Sequence, residues 1–105
     1  MEYGAVHPMK ATEILHVKEG FGEGFIEVVI WQVPHPVPPS EHPFKYRLVY
    51  VVDGKRRVGY DNERGKGDHR HLGSREYAYR FVSPTQLMDD FMRDVKGAKK
   101  CAAAF

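Results

Sequence analysis

Residues 45–60 read KYRLVYVVDGKRRVGY and carry the clearest signal of local structure in the chain. Residues 45–52 are rich in aromatic and β-branched side chains, and residues 55–60 form a returning segment after Asp53-Gly54. An Asp-Gly pair suits both positive-φ positions of a type I′ turn, which joins two antiparallel strands. We therefore predict a β-hairpin. One face of its first strand carries every second residue, namely Tyr46, Leu48, Tyr50 and Val52.

The chain before this hairpin predicts two more strands and a stiff connection. Residues 11–19 and 25–33 flank a glycine-rich stretch at residues 20–24, as expected for two strands joined by a hairpin loop. Apolar side chains occupy both faces of residues 25–33, which indicates a central strand covered on both sides. Residues 34–43 contain five prolines. Because proline fixes φ and lacks an amide donor, this segment is predicted to be a surface connection.

The chain after the hairpin predicts a further strand and a helix. Tyr77, Tyr79 and Phe81 alternate with polar or small residues, as in a strand. Ser83 is a suitable N-cap, and Pro84 suits the first helical position. The helix is predicted to pack on the sheet through an apolar stripe of Leu87, Met88, Phe91, Met92 and Val95. Its acids, Asp89, Asp90 and Asp94, are predicted to form a solvated face.

The predicted fold class is α+β, with an antiparallel β-sheet of about five strands and a C-terminal amphipathic helix packed on one face. At 105 residues the chain can form one hydrophobic core and is too short for two. We predict an N-terminal extension at residues 1–10, a single domain at residues 11–97 and a C-terminal tail at residues 98–105.

Hydropathy and cysteine usage indicate a soluble, cytoplasmic protein. The longest apolar stretch, residues 28–31, falls far short of the roughly 20 residues that cross a bilayer. The N-terminus lacks the basic-then-apolar order of a signal peptide. Cys101 is the single cysteine, which excludes an intrachain disulfide and predicts an idle thiol in the tail. We expect no membrane association.

The charge of the chain is small but uneven. The net charge of +2 does not identify a nucleic-acid binder. Residues 54–80, however, contain eight cations and four acids, a local charge of +4. Clustered Lys and Arg raise the local concentration of polyanions and supply a salt-sensitive part of RNA or DNA binding. An ordinary solvated surface is the alternative.

The candidate site is the polar segment at residues 60–71, YDNERGKGDHRH, which follows the hairpin and has almost no apolar residue to bury. We expect it to form a glycine-flanked loop. On an extended backbone His69 and His71 point to one face and Arg70 to the other. One imidazole could then take the proton from a ribose 2′-OH while the other protonates the leaving oxygen. Neither a metal nor another cofactor is needed for this chemistry.

Two neighbours complete the predicted catalytic group. Asp68 could orient one imidazole, and Tyr60 could contact a base or a phosphate. Arginine and lysine suit phosphate partners and would steady the developing charge. The predicted substrate-binding cations are Arg47, Arg57, Arg64, Lys66 and Arg70.

Two alternatives to catalysis remain open for this segment. His69 and His71 could be hydrogen-bonded loop residues without chemistry. They could also ligate a metal with Asp61 or Asp68, but no second His or Cys pair stands at a telling spacing, so we predict no metal site. The other histidines, His16 and His42 among them, are predicted to be surface or structural residues.

Several segments together resemble the small TumE-type toxins of prokaryotic toxin–antitoxin systems. They are FKYRL at residues 44–48, YDN at 60–62, GKGDHRH at 65–71, YRF at 79–81 and LMDDFMRDV at 87–95. The resemblance runs from about Ala11 to Val95. It implies a growth-inhibiting protein that is neutralised by a cognate antitoxin with a helix-turn-helix DNA-binding domain, encoded alongside it.

Two hypotheses about function follow. By analogy with other small basic toxins, the first is a metal-independent ribonuclease that uses His69 and His71, with RNA as the substrate. The second is a non-catalytic module whose basic hairpin and loop bind a nucleic acid or an acidic partner protein. A homodimer is compatible with either hypothesis.

Overall fold

A computed structural model describes residues 10–103 of the chain, with side chains as far as Ala98. The predicted N-terminal extension lies outside the described residues except for Lys10. The side chain of Cys101 lies outside them as well.

Six antiparallel strands form one sheet in the order of the chain. One helix follows the last strand and packs on one face of the sheet. The predicted α+β class is therefore confirmed, with six strands where about five were expected. The elements are β1 (Thr12–Phe21), β2 (Gly24–Gln32), β3 (Phe44–Val52), β4 (Lys55–Glu63), β5 (Gly67–Leu72), β6 (Arg75–Ala78) and α1 (Pro84–Ala103).

The hydrophobic core lies between the sheet and α1. The predicted hairpin is confirmed, with Asp53 and Gly54 at φ 53° and 73° in its turn. The predicted stripe of α1 is confirmed by the complete burial of Leu87, Phe91 and Val95. We call this side of the sheet the helix-covered face; its buried strand residues are Ile26, Val28, Ile30, Tyr46, Leu48, Tyr50, Val52, Val58 and Tyr60.

The opposite side of the sheet, the outer face, carries no described element. By strand register it includes Val29, Trp31, Lys45, Arg47, Asp61, His69 and His71. The central position predicted for β2 is confirmed, because β1 and β3 pair with it on its two sides. The expectation that β2 is covered on both faces is wrong, since Trp31 remains 36% exposed.

The additional strand, β5, comes from the segment predicted to be a loop. β4 continues to Glu63, the chain reverses, and β5 returns with Asp61 paired to His69. Gly65 and Gly67 permit the reversal because both have positive φ, 85° and 80°. Neither strand end here shows an alternation of apolar residues, so hydropathy did not reveal the pairing.

The helix begins as its cap predicts, but two of its acids face the sheet. The Ser83 hydroxyl accepts a hydrogen bond from the Gln86 backbone N–H at 3.1 Å. Asp89 is exposed as predicted. The expectation that Asp90 and Asp94 are solvated is wrong, because Asp94 accepts hydrogen bonds from Arg70 on β5 and Asp90 accepts one from Tyr79, which follows β6. No helix in the described part of the chain is long and apolar enough to span a membrane.

Candidate functional site

The alternation of side chains along β5 separates the predicted site residues onto two faces. His69 and His71 lie on the outer face, as their spacing predicts. Asp68 and Arg70 lie on the helix-covered face, and so does Tyr60, which pairs with Arg70 across β4 and β5. The structure therefore brings the two histidines together and places Asp68, Tyr60 and Arg70 on the other side of the sheet.

The two imidazoles lie side by side between two carboxylates. Their ring centroids are 6.4 Å apart. Asp61 on β4 places Oδ1 3.5 Å from His71 Nε2, and Glu76 on β6 places Oε2 3.3 Å from His69 Nδ1. Carboxylates at these distances restrict the orientation of the two rings. Both carboxylates were absent from the catalytic group predicted from sequence.

Several polar atoms of this cluster lack hydrogen-bond partners. Both ring nitrogens of His69 and Asp61 Oδ1 are shielded from solvent, and no hydrogen bond reaches them within the described part of the chain. The ion-pair distance to Glu76 is short, but the alignment is not that of a hydrogen bond. Because buried polar groups are nearly always satisfied, the cluster has the properties of a site that a bound group completes.

Glu76 bridges the cluster to a cation. Its Oε2 lies 3.4 Å from Lys66 Nζ as well as 3.3 Å from His69 Nδ1. Lys66, followed by the nearby histidines, lowers the pKa of the Glu76 carboxyl. The Glu76 carboxylate thus occupies a position in which another anion would contact both Lys66 and His69. Glu76 is 41% exposed and stands on the edge strand β6, so it has room to move aside.

The predicted cations divide between the two faces. Arg47 lies exposed on the outer face and is the cross-strand neighbour of Asp61. Lys66 borders the histidines through Glu76. Arg64 lies exposed in the turn between β4 and β5. Arg70 is held under α1 by Asp94.

Arg56, rather than the predicted Arg57, accompanies the histidines on the outer face. A register shift between Tyr50 and Val51 marks a bulge, and one extra residue changes the face to which a side chain points. The Arg56 side chain lies across Gly59, the cross-strand partner of His71, where a Cβ would be only 2.8 Å from it. Arg57 instead lines a groove of about 520 Å³ with Arg93, beside α1.

Asp68 orients an imidazole, but that of His42. The Asp68 carboxylate lies 2.7 Å from His42 Nε2 and accepts hydrogen bonds from Tyr46 Oη at 2.6 Å and Ser40 Oγ at 2.5 Å. His42 Nδ1 accepts from the Phe44 N–H at 3.3 Å, so Nε2 carries the proton that is donated to Asp68. Burial, and then the bond to Asp68, raise the pKa of Tyr46 above its ordinary value. This cluster ties the proline-rich connection to the sheet.

Tyr60 and Arg70 hold the helix against the sheet. Tyr60 Oη donates to the Asp94 carboxylate, and Arg70 donates to the same carboxylate from Nε at 2.6 Å and Nη2 at 2.9 Å. Burial and the Asp94 bond raise the pKa of Tyr60. Burial acts to raise the pKa of Asp94, but hydrogen bonds from Arg70 and Tyr60 outweigh it, and the pKa lies below its ordinary value. These residues therefore connect α1 to β4 and β5.

Metal ligation and family membership complete the description. Among the residues described, no group of three or more His, Cys, Asp or Glu side chains is placed to hold a metal ion.

Comparison with known families gives a match to the family described as Toxin TumE over residues 6–99. Comparison with curated proteins and with solved structures gave no match. The family match covers most of the chain and confirms the resemblance seen in the sequence.

Proposed function

Because the chain belongs to the Toxin TumE family, we propose that it is a metal-independent ribonuclease whose general acid and base are His69 and His71. Family membership makes the protein the toxin component of a toxin–antitoxin system and implies a cognate antitoxin as its partner. The observation that carries the proposal is the pair of imidazoles 6.4 Å apart on the outer face, with the nitrogens of His69 lacking a hydrogen bond within the described part of the chain.

The reaction is a transesterification of the RNA backbone. One imidazole takes the proton of a ribose 2′-OH, and the 2′ oxygen attacks the adjacent phosphorus. The bond from phosphorus to the 5′ oxygen breaks while the second imidazole, protonated beforehand, gives its proton to that oxygen. The products are a 2′,3′-cyclic phosphate and a 5′-hydroxyl, and the two imidazoles have exchanged protonation states.

The neighbouring charges have separate roles in this proposal. The Asp61 carboxylate lies 3.5 Å from His71 Nε2 and orients that ring. Glu76 contacts Lys66 and His69 until the phosphate displaces it, after which the Lys66 ammonium and the His69 imidazole can contact the phosphate oxygens. Arg47 and Arg56 add positive charge on the same face.

A second candidate function is binding without catalysis. Asp61 and Glu76 place two carboxylates beside the histidines, and negative charge there opposes the approach of a phosphate. Such a surface also suits a partner protein that presents basic side chains. Cleavage assays on matched variants decide between the two functions.

The test compares His69→Ala and His71→Ala with His16→Ala. His16 is a matched control because it lies on the outer face, on β1, and contacts the carboxylates of Glu13 and Glu27. Loss of a general acid or base costs about 100-fold to about 10,000-fold in rate. We expect that loss, together with loss of growth inhibition, in His69→Ala and His71→Ala only.

Two substrate controls sharpen the test. Wild-type cleavage should persist in excess chelator and should stop at a 2′-deoxy linkage. Inhibition by chelator would assign the chemistry to a metal, and cleavage of the 2′-deoxy linkage would exclude attack by the 2′-OH. RNA binding without any cleavage would favour the second function.

A further inference from the structure

The outer face carries a small aromatic and basic cleft on β2 and β3. The cleft has a volume of about 270 Å³ and is lined by Val29, Trp31, Lys45, Tyr46 and Arg47. Trp31 is the only tryptophan in the chain and is 36% exposed. A large aromatic ring left open to solvent in a cleft is a typical contact surface for a ligand.

The charges around Trp31 favour an anionic ligand with a flat ring. Arg47 is exposed, and its guanidinium forms no hydrogen bond or ion pair within the described part of the chain. Lys45 is held in place by donating to the Asn62 carbonyl, and it is the cross-strand neighbour of Trp31. Glu13 borders Trp31 on the other side, but its carboxylate is turned to His16, 3.3 Å away.

Strand register makes this cleft continuous with the histidine pair. Val29 pairs with Arg47, Arg47 with Asp61 and Asp61 with His69, so the four side chains form one row across the outer face. Neighbouring strands are ~4.8 Å apart, which places β2 ~14 Å from β5. A strand of RNA with a phosphate at His69 therefore reaches the cleft within a few nucleotides.

We propose that the Trp31 cleft is a nucleobase-binding subsite for single-stranded RNA. A base stacks on the indole of Trp31, and the adjoining phosphate contacts the free guanidinium of Arg47. Stacking on an aromatic ring beside a cation is the common way in which proteins hold unpaired bases. The subsite rests on the proposed ribonuclease function for its substrate, and it adds the region where a neighbouring nucleotide is held.

Trp31 is its own probe, because it is the single tryptophan. The titrant is a mixed-sequence single-stranded 2′-deoxy oligonucleotide, which offers bases and phosphates but lacks the 2′-OH. We expect it to quench the tryptophan fluorescence of the wild-type protein. In anisotropy with a labelled oligonucleotide, Trp31→Ala should weaken binding by about 5-fold to about 150-fold. Trp31→Phe should keep most of the affinity because phenylalanine retains a ring face.

Two further variants separate stacking from charge. Arg47→Ala should weaken binding and reduce the slope of log affinity against log salt by about 0.7, the value for one phosphate contact on a single strand. Tyr77→Ala is the matched control. Tyr77 is 39% exposed but pairs with Arg70 and so lies on the helix-covered side of the sheet. We expect it to bind as the wild type does.

The outcomes distinguish this subsite from the catalytic proposal. If the histidine variants still cleave RNA while Trp31→Ala binds weakly, the subsite stands and the catalytic assignment fails. If the histidine variants lose cleavage while Trp31 fluorescence and Trp31→Ala affinity are unchanged, the subsite is overturned and the catalytic assignment stands. A Trp31→Ala variant that loses self-association or antitoxin binding, with unchanged oligonucleotide affinity, also overturns the subsite and makes the cleft a protein interface.

Discussion

The two faces of β5 differ in how their polar groups are satisfied. On the helix-covered face, Asp68 accepts hydrogen bonds from Ser40 and Tyr46, and Arg70 forms a two-point pair with Asp94. On the outer face, both nitrogens of His69 and one oxygen of Asp61 have no hydrogen-bond partner among the described residues. On β5 the named polar groups of the helix-covered face are therefore hydrogen-bonded, whereas those of the outer face are not hydrogen-bonded within the described part of the chain.

The two faces of β5 are therefore expected to contribute differently to stability and to ligand binding. A satisfied buried network fixes the geometry of the elements that it joins, and removing one member leaves the others unpaired. The outer-face groups that lack hydrogen bonds within the described residues leave that capacity for a bound molecule, which reaches His69 once Glu76 moves aside. Changes on the helix-covered face should therefore alter stability, and changes on the outer face should alter binding and catalysis.

The largest expected effect on the helix-covered face is that of Phe91→Ala. Phe91 is fully buried and its ring meets that of Tyr60 edge to face at 6.1 Å. The substitution removes this packing and should cost about 3 to 5 kcal/mol in the free energy of unfolding. Denaturant unfolding measures the change. The paired variant His69→Ala should unfold close to the wild-type midpoint, and equal losses in the two variants would contradict the division between faces.

The next effect is the contribution of Asp94 to the pH dependence of stability. The side chain of Asp94 is 6% exposed. Its folded-state pKa is below the ordinary value of 3.8, so the folded state binds the proton less readily than the unfolded state. The resulting stabilisation is fully present above about pH 4 and is lost as the pH falls through the lowered pKa. Asp94→Asn should flatten this acid dependence and lower stability at neutral pH by about 2 to 4 kcal/mol, because Arg70 loses its charged partner.

Unfolding of wild type and Asp94→Asn from pH 7 to pH 2 tests this expectation. Asp89→Asn is the matched control, because Asp89 is an exposed acid on the same helix. We expect the control to follow the wild-type curve. An Asp94→Asn curve that keeps the full wild-type acid dependence would show that the ion pair with Arg70 does not stabilise the fold.

The smallest expected effect is that of Glu76→Gln on the outer face. The substitution removes the negative charge that contacts Lys66 and His69, and an exposed ion pair of this kind is weak because water and salt screen it. Binding of a 2′-deoxy oligonucleotide should therefore tighten by about 1.5-fold to about 5-fold, with an unfolding midpoint close to that of the wild type. Weaker binding would mean that Glu76 orients His69 for the ligand and does not compete with it.

The features that depend on residues close together in the chain could be predicted from the amino-acid sequence. Alternation in residues 45–52 and the Asp53-Gly54 pair were sufficient for the hairpin, since a two-residue turn restricts the pairing of the strands beside it. Ser83, Pro84 and the spacing of Leu87, Phe91 and Val95 were sufficient for the start and the buried stripe of α1. The family was also recognisable from the spacing of its motifs.

Which polar side chains meet depends on the tertiary structure and could not be predicted from the sequence. β5 has little apolar content, so its identity as a strand depends on pairing with β4 and β6 rather than on hydropathy. The inward positions of Asp90 and Asp94 depend on Tyr79, Tyr60 and Arg70, which are distant in sequence. The placement of Arg56 beside the histidines depends on a bulge between β3 and β4. Each of these results from long-range register, and one residue of shift in a strand reverses the face to which every side chain points.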